Sequence, residues 1–230
     1  MYIHTEAIVL KSFSYKETSL IAYCFSKDNG KIPLIVKGAK SKRSPKYAQF
    51  QPLSYIDIVY NSKPTRELQV LSKVNFKESW PRITEDLKTI TLAMVILELT
   101  EKIISIEDPF PKLFETLTEV LRLMNKRELD PSLLFWFYEC ALLNHSGFRP
   151  RIHGHDLPGI SLPNPKDGEN SFDILSVLLQ ENICDLNNLG AISFKDKKLI
   201  SNYLWTLLRY HFDSISRIKS ISTIKKILRD

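Results

Sequence analysis

Four cations fall within seven positions, at Lys37, Lys40, Lys42 and Arg43, with Gly38, Ala39 and Ser41 between them and Lys46 close behind. So little bulk cannot bury the segment. Its charges stay in water, where ammonium and guanidinium groups can meet phosphate oxygens. A solvated turn that only keeps a protein soluble would look the same. The neighbouring segments add to the first reading. Lys11, Lys16 and Arg66 contribute further charge, and Tyr15, Tyr47, Phe50 and Tyr55 are rings of the kind that stack on bases. Each of those rings could equally be core.

Other chemistry is poorly represented. The chain has no Walker-type phosphate loop, no Gly-x-Ser-x-Gly elbow and no paired-histidine helix motif, so it reads as a non-enzyme without a small-molecule substrate. His153 and His155 are the one cluster resembling metal ligands. A zinc site there would need Asp156 and distant Cys184, with no Cys-x-x-Cys pair to help. They read better as exposed loop histidines, and no metal or other cofactor is expected. Cys24 and Cys140 lie on apolar stretches and read as small core residues. Three widely spaced cysteines argue against a disulfide framework and for a reducing, cytoplasmic setting. The first eleven residues mix His4, Glu6 and Lys11 and do not form a signal peptide. No apolar run approaches the roughly 20 residues that span a bilayer, so no membrane partner is expected.

Charge is segregated along the 230 residues. Residues 1–80 carry 13 Lys/Arg against 6 Asp/Glu, a net +7. Residues 81–194 carry 10 against 17, a net −7, and residues 195–230 carry 9 against 3, a net +6. Two basic ends around an acidic middle suggest a polyanion-facing surface and a second, differently charged one.

The elements that must position these groups divide at Trp80-Pro81. Before it, Ala7–Leu10, Leu20–Phe25, Lys31–Lys37, Leu53–Tyr60 and Arg66–Val74 read as five strands. The Asp28-Asn29-Gly30 turn is the best hairpin signal among them. Five short strands close most naturally into a barrel, an OB-fold first and an SH3-like barrel second. After Trp80-Pro81 the period becomes helical. One helix begins near Thr84-Glu85-Asp86, a second runs through Leu113–Met124, and a third opens at Asp130-Pro131 and stops by Gly147. Residues 148–170, rich in Pro and Gly, form a long irregular loop. A short helix follows over Phe172–Glu181. Ser193 caps a long helix, and Ile215–Leu228 forms a last basic helix; Arg209, Arg217, Lys219, Lys225, Lys226 and Arg229 at this end of the chain could extend the cationic field. The expected organisation is α+β, with an OB-fold nucleic-acid-binding domain at 1–80 and an all-α helical bundle domain at 81–230.

Several segments in order carry a resemblance: Glu6-Ala7-Ile8-Val9-Leu10, Tyr15-Lys16-Glu17-Thr18-Ser19, Phe25 to Lys31, Val36-Lys37-Gly38-Ala39-Lys40, and Gln51-Pro52-Leu53. Gly147-Phe148-Arg149-Pro150 and the stretch from Leu204 to Ser220 add to it. Together they resemble the RecO family of bacterial recombination mediators. The resemblance implies an OB-fold followed by a helical domain, binding of single- and double-stranded DNA, and annealing of complementary strands. It also implies cooperation with RecR in loading the recombinase RecA onto DNA coated by single-strand binding protein. The acidic C-terminal tail of that protein would dock in the helical domain, in a bacterial, nucleoid-associated setting. The family's basic OB loop maps onto Lys37, Lys40, Lys42 and Arg43. Many members place four cysteines in and after the region of 150–185. Here His155 and Pro158 stand near the first two and only Cys184 remains, so this loop is expected to be held by packing alone. From the residues themselves, an RNA-binding OB protein and a protein-interaction scaffold stay open as alternatives.

Overall fold

In a computed structural model that describes residues 1–41, 43–152 and 157–217, the chain is a five-stranded barrel followed by a helical region. The strands are β1 (Tyr2–Tyr15), β2 (Ser19–Ser26), β3 (Gly30–Val36), β4 (Tyr55–Asn61) and β5 (Gln69–Glu78). They close in the order β1-β2-β3-β5-β4. β1 is long enough to serve two partners. Its first half pairs with β4, from Tyr2↔Asn61 to Ile8↔Tyr55, and from Ala7↔Ser26 to Tyr15↔Ser19 it pairs with β2, with a bulge between Val9 and Lys11 that bends the strand. A short parallel contact, Leu34↔Gln69 and Ile35↔Val70, completes the circle. This strand order, with β3 and β5 parallel, is that of an OB-fold and decides against the SH3-like alternative.

The strands are longer than their apolar runs suggest because the ladder continues into polar residues at their ends. The run Ala7–Leu10 is buried throughout, for a specific reason. Ala7 and Val9 face the barrel interior with Leu20, Leu34, Val36, Phe50 and Ile58. Ile8 and Leu10 face outward and join the helical core with Phe25, Tyr55, Phe114 and Leu97. One strand therefore serves two cores, so it shows no polar alternation.

The helices are α1 (Lys46–Gln49), inside the β3–β4 connection, then α2 (Leu87–Ile103), α3 (Pro111–Lys126), α4 (Pro131–His145), α5 (Ser171–Leu178) and α6 (Phe194–His211). Asp86, Asp130 and Ser193 cap α2, α4 and α6 by accepting backbone N–H bonds from Thr89, Ser132 and Asp196. Gly147, at φ 85°, ends the α4 segment. α4 is buried on all sides from Ser132 to Leu143 and is the centre of the bundle. The expected last helix begins as a 3-10 turn, Asp213–Arg217; the remainder of that expectation lies outside the described residues.

Aromatic packing joins the barrel to the bundle. Phe25 meets Phe114 edge to face at 5.4 Å, and Tyr55 stacks on Trp80 at 6.1 Å. Such pairs contribute about 0.5–1.5 kcal/mol each beyond their burial. The α2–α3 loop pins the β2–β3 turn: Ile106 bridges to Gly30 and Lys31, and the Glu107 N–H donates to the Lys31 carbonyl at 3.4 Å.

Candidate nucleic-acid interface

The basic loop leaves the barrel at Val36 and re-enters it at Phe50. It does not float free. Ala39 and Phe50 are both fully buried in the barrel core, so the loop is pinned at two points and only the residues between them project. Gly38, at φ 69°, makes the turn that lets Ala39 reach inward, a conformation other residues adopt at a cost. The Lys40 N–H donates to the Thr18 carbonyl at 3.0 Å, tying the loop to the β1–β2 turn. Lys37, Lys40 and Arg43 are exposed, whereas Lys46 is half-buried and donates to the Lys37 carbonyl at 3.4 Å. Lys42 lies outside the described residues.

Ion pairing sorts the cations into two populations. Lys27 pairs with Glu115 at 3.0 Å, and Arg122 grips Glu78 through two nitrogens at 2.8–3.2 Å. Lys77 pairs with Glu6. Lys11 reaches Glu101 at 2.9 Å, with Lys31 and Lys102 on the same carboxylate. Burial opposes the charge on Glu101, yet the three lysines together hold its carboxyl below the usual range. By contrast, Lys37, Lys40, Arg43, Lys46 and Arg66 have no carboxylate within salt-bridge distance among the described residues. The acidic middle of the chain is therefore partly spent inside the molecule, where α2 and α3 clamp the barrel. Lys11, one of the sequence candidates, belongs to the clamp.

The aromatic candidates divide as well. Phe50 is fully buried in the barrel, and Tyr55 is buried between barrel and bundle, its hydroxyl donating to Glu6. Neither ring can reach a base. Tyr47 is 52% exposed on α1. Tyr15 is partly exposed, with the Lys16 ammonium 5.4 Å from its ring centre. Two rings the sequence reading passed over stand beside it: Phe13 is 47% exposed and stacks on Tyr23, with centroids 6.3 Å apart and planes at 28°. The signal was the strand period of two. Lys11, Phe13 and Tyr15 alternate with Ser12 and Ser14, and the register sets Tyr23 opposite Lys11. The outward face of β1–β2 thus carries Tyr23, Phe13 and Tyr15 in a row. At about 3.4 Å per residue, the row spans some 14 Å from Lys11 to Tyr15. It ends at the turn that touches Lys40.

Arg66 lies at the other end of this face, on the β4–β5 connection, where it lines a cleft with Tyr23 and Pro33. The OB-fold binds oligonucleotides on this strand face and its flanking loops.

The 148–170 loop is held by more than packing, contrary to the expectation. Arg149 donates to the Leu179 carbonyl at 2.9 Å. Asp196, fully buried, accepts from the Asn170 N–H at 3.0 Å, Ser171 Oγ at 2.5 Å and Ser193 Oγ at 2.8 Å. Burial alone would raise its carboxyl, but these donors hold it below the usual range. Cys184 is exposed, Cys24 and Cys140 are buried, and His153, His155 and Asp156 lie outside the described residues.

Two family models, for the N-terminal and C-terminal parts of recombination protein O, match residues 1–80 and 84–155, together more than half of the chain. The chain belongs to the RecO family. A protein named DNA repair protein RecO from Salinibacter ruber is 35% identical over 150 residues, covering 65% of this chain and 58% of that protein. Its namesake from Alkaliphilus metalliredigens is 34% identical over 152 residues, covering 66% and 61%. In both, the match spans less than two thirds of the relative's length. A RecO protein from Flavobacterium johnsoniae, 28% identical, matches along 99% of each chain.

Proposed function

We propose that this chain acts without catalysis in DNA repair, binding DNA phosphates through the OB barrel and annealing complementary strands. In this reading residues 1–80 are the DNA-binding domain, and residues 81–230 brace it and dock partner proteins. The observation that carries it is the sorting of cations. Those facing the helices are neutralised by carboxylates, whereas Lys37, Lys40 and Arg43 project from a pinned loop with no carboxylate partner among the described residues. An unpaired surface lysine attracts a phosphate without first breaking an ion pair. Flexible cationic side chains position a backbone without reading sequence, which suits both single strands and duplexes. Annealing follows from neutralising two mutually repelling strands and holding them close, so it needs no nucleotide hydrolysis.

Family membership supports two further steps: cooperation with RecR, and loading of RecA onto DNA coated by single-strand binding protein. No helix among the described residues is long and apolar enough to cross a membrane, which fits a protein that works on DNA in the cytoplasm at the nucleoid. The test is annealing of complementary oligonucleotides, with and without bound single-strand binding protein. Acceleration in both conditions is expected, and none with bare strands refutes the reading. An RNA oligonucleotide that outcompetes DNA would favour an RNA-binding role, and full activity after loss of the loop cations would favour a scaffold.

A further inference from the structure

The β4–β5 loop and the α2–α3 loop face each other across a cleft of about 570 Å³ on the barrel's outer side. Its floor is the ring of Tyr23 beside Pro33, one wall carries Arg66, and the other carries Ile106 and Glu107. Both walls are fixed. Gln69, buried to within 4%, ties the first: its Oε1 accepts from the Lys63 N–H at 2.9 Å, and its Nε2 donates to the Lys63 and Arg66 carbonyls, each at 3.1 Å. The second is fixed by the backbone bridges from Ile106 to Gly30 and Lys31. A preformed cleft with a flat ring at its base and a few placed polar groups is the usual form of a small-ligand site.

We propose that this cleft receives an unpaired nucleobase of a DNA single strand, stacked on Tyr23, with the adjoining phosphate on Arg66. The inference rests on the DNA-binding reading above and deepens it. Three observations select this occupant. Phe13 stacks on Tyr23 and the Lys11 ammonium sits 4.4 Å from the same ring's centre, both from β1, while the cleft lies beside Pro33 of β3. The row leads on along β1 toward Tyr15 and the basic loop, so a strand entering the cleft continues onto rings and then onto cations. Arg66 is exposed and has no carboxylate partner among the described residues. Glu67 and Glu107 border the same cleft and repel a phosphate drawn into it, which leaves the uncharged base as the part of the strand that enters. Because the α2–α3 loop forms one wall, the helical region completes the site.

The test uses the full chain and three probes of equal length: an oligothymidylate, an abasic strand with the same phosphates, and a duplex. Stacking on one aromatic ring contributes about 1–3 kcal/mol, or roughly 5- to 150-fold in affinity. The parent should therefore prefer the thymidylate strand to the abasic strand by at least about fivefold. Tyr23→Leu should remove most of that preference and leave abasic and duplex binding unchanged, and Tyr23→Phe should restore it. Arg66→Ala should weaken thymidylate and abasic strands alike. In the unmodified protein, 2-aminopurine in the strand should be quenched on binding, a readout that needs no variant to fold. A thymidylate-to-abasic ratio that Tyr23→Leu leaves intact, or an absent quench, overturns the pocket while the phosphate reading stands. A parent that binds none of the probes overturns both.

Discussion

Replacing Lys37, Lys40 and Arg43 together with Ala tests the central claim quantitatively. Each is exposed and lacks a carboxylate partner among the described residues, so each is free to release a counterion from DNA. A single-strand contact contributes about −0.7 to the log–log salt slope and a duplex contact about −0.9. Three lost contacts should make the slope shallower by about 2 on a single strand and nearly 3 on a duplex. Between 50 and 200 mM salt, a slope change of 2 corresponds to a parent-to-variant affinity ratio about 16-fold larger at the lower salt. The assay is fluorescence anisotropy of a labelled oligonucleotide across that range. The structure also supplies a control. Lys27 is equally cationic but engaged by Glu115 at 3.0 Å, so Lys27→Ala should leave the slope almost unchanged. The loop substitutions should not shift the unfolding midpoint, because these side chains make no packed contact that folding depends on. An unchanged slope in the triple variant, or an equal shift in Lys27→Ala, would refute the reasoning.

Other outcomes follow from the frame around the site. Gly30 sits at φ 64°, and a Cβ there would run into the Asp108 carbonyl, so Gly30→Ala should cost on the order of 2–4 kcal/mol in urea unfolding and loosen the α2–α3 loop. Glu139 is buried and burial raises its carboxyl well above the usual range. Its stabilising neutral form is fully present below the unfolded value near 4.3 and is lost as pH climbs toward the folded value. Glu139→Gln should therefore gain stability relative to the parent at pH 8 and lose that advantage at pH 5, and a pH-independent difference would contradict it. Glu78 is shifted the other way by Arg122, so its contribution is present above about 4.3 and fades as pH falls through its lowered value. Breaking that partly exposed pair with Arg122→Ala should cost no more than about 1 kcal/mol at pH 7, measured by denaturant unfolding.

Some of this protein is local information and therefore legible in the sequence. Turn chemistry at Asp28-Asn29-Gly30, caps at Asp130 and Ser193 and the change of period after Trp80 depend on neighbours within a few residues, and they place the five strands and the long helices. The cluster of Lys37, Lys40 and Arg43 is local too, since nothing so small and charged can be buried. Which cations remain available, however, depends on partners far along the chain: Lys11 meets Glu101 and Lys27 meets Glu115 only because α2 and α3 pack on the barrel. The same holds for the rings. Tyr55 and Phe13 look alike as residues in β-rich segments, yet one faces Phe114 and Trp80 and the other faces water. Composition and spacing determine what a residue can do. Long-range closure, through strand register and the side on which the helices dock, decided which residues are left facing outward to do it.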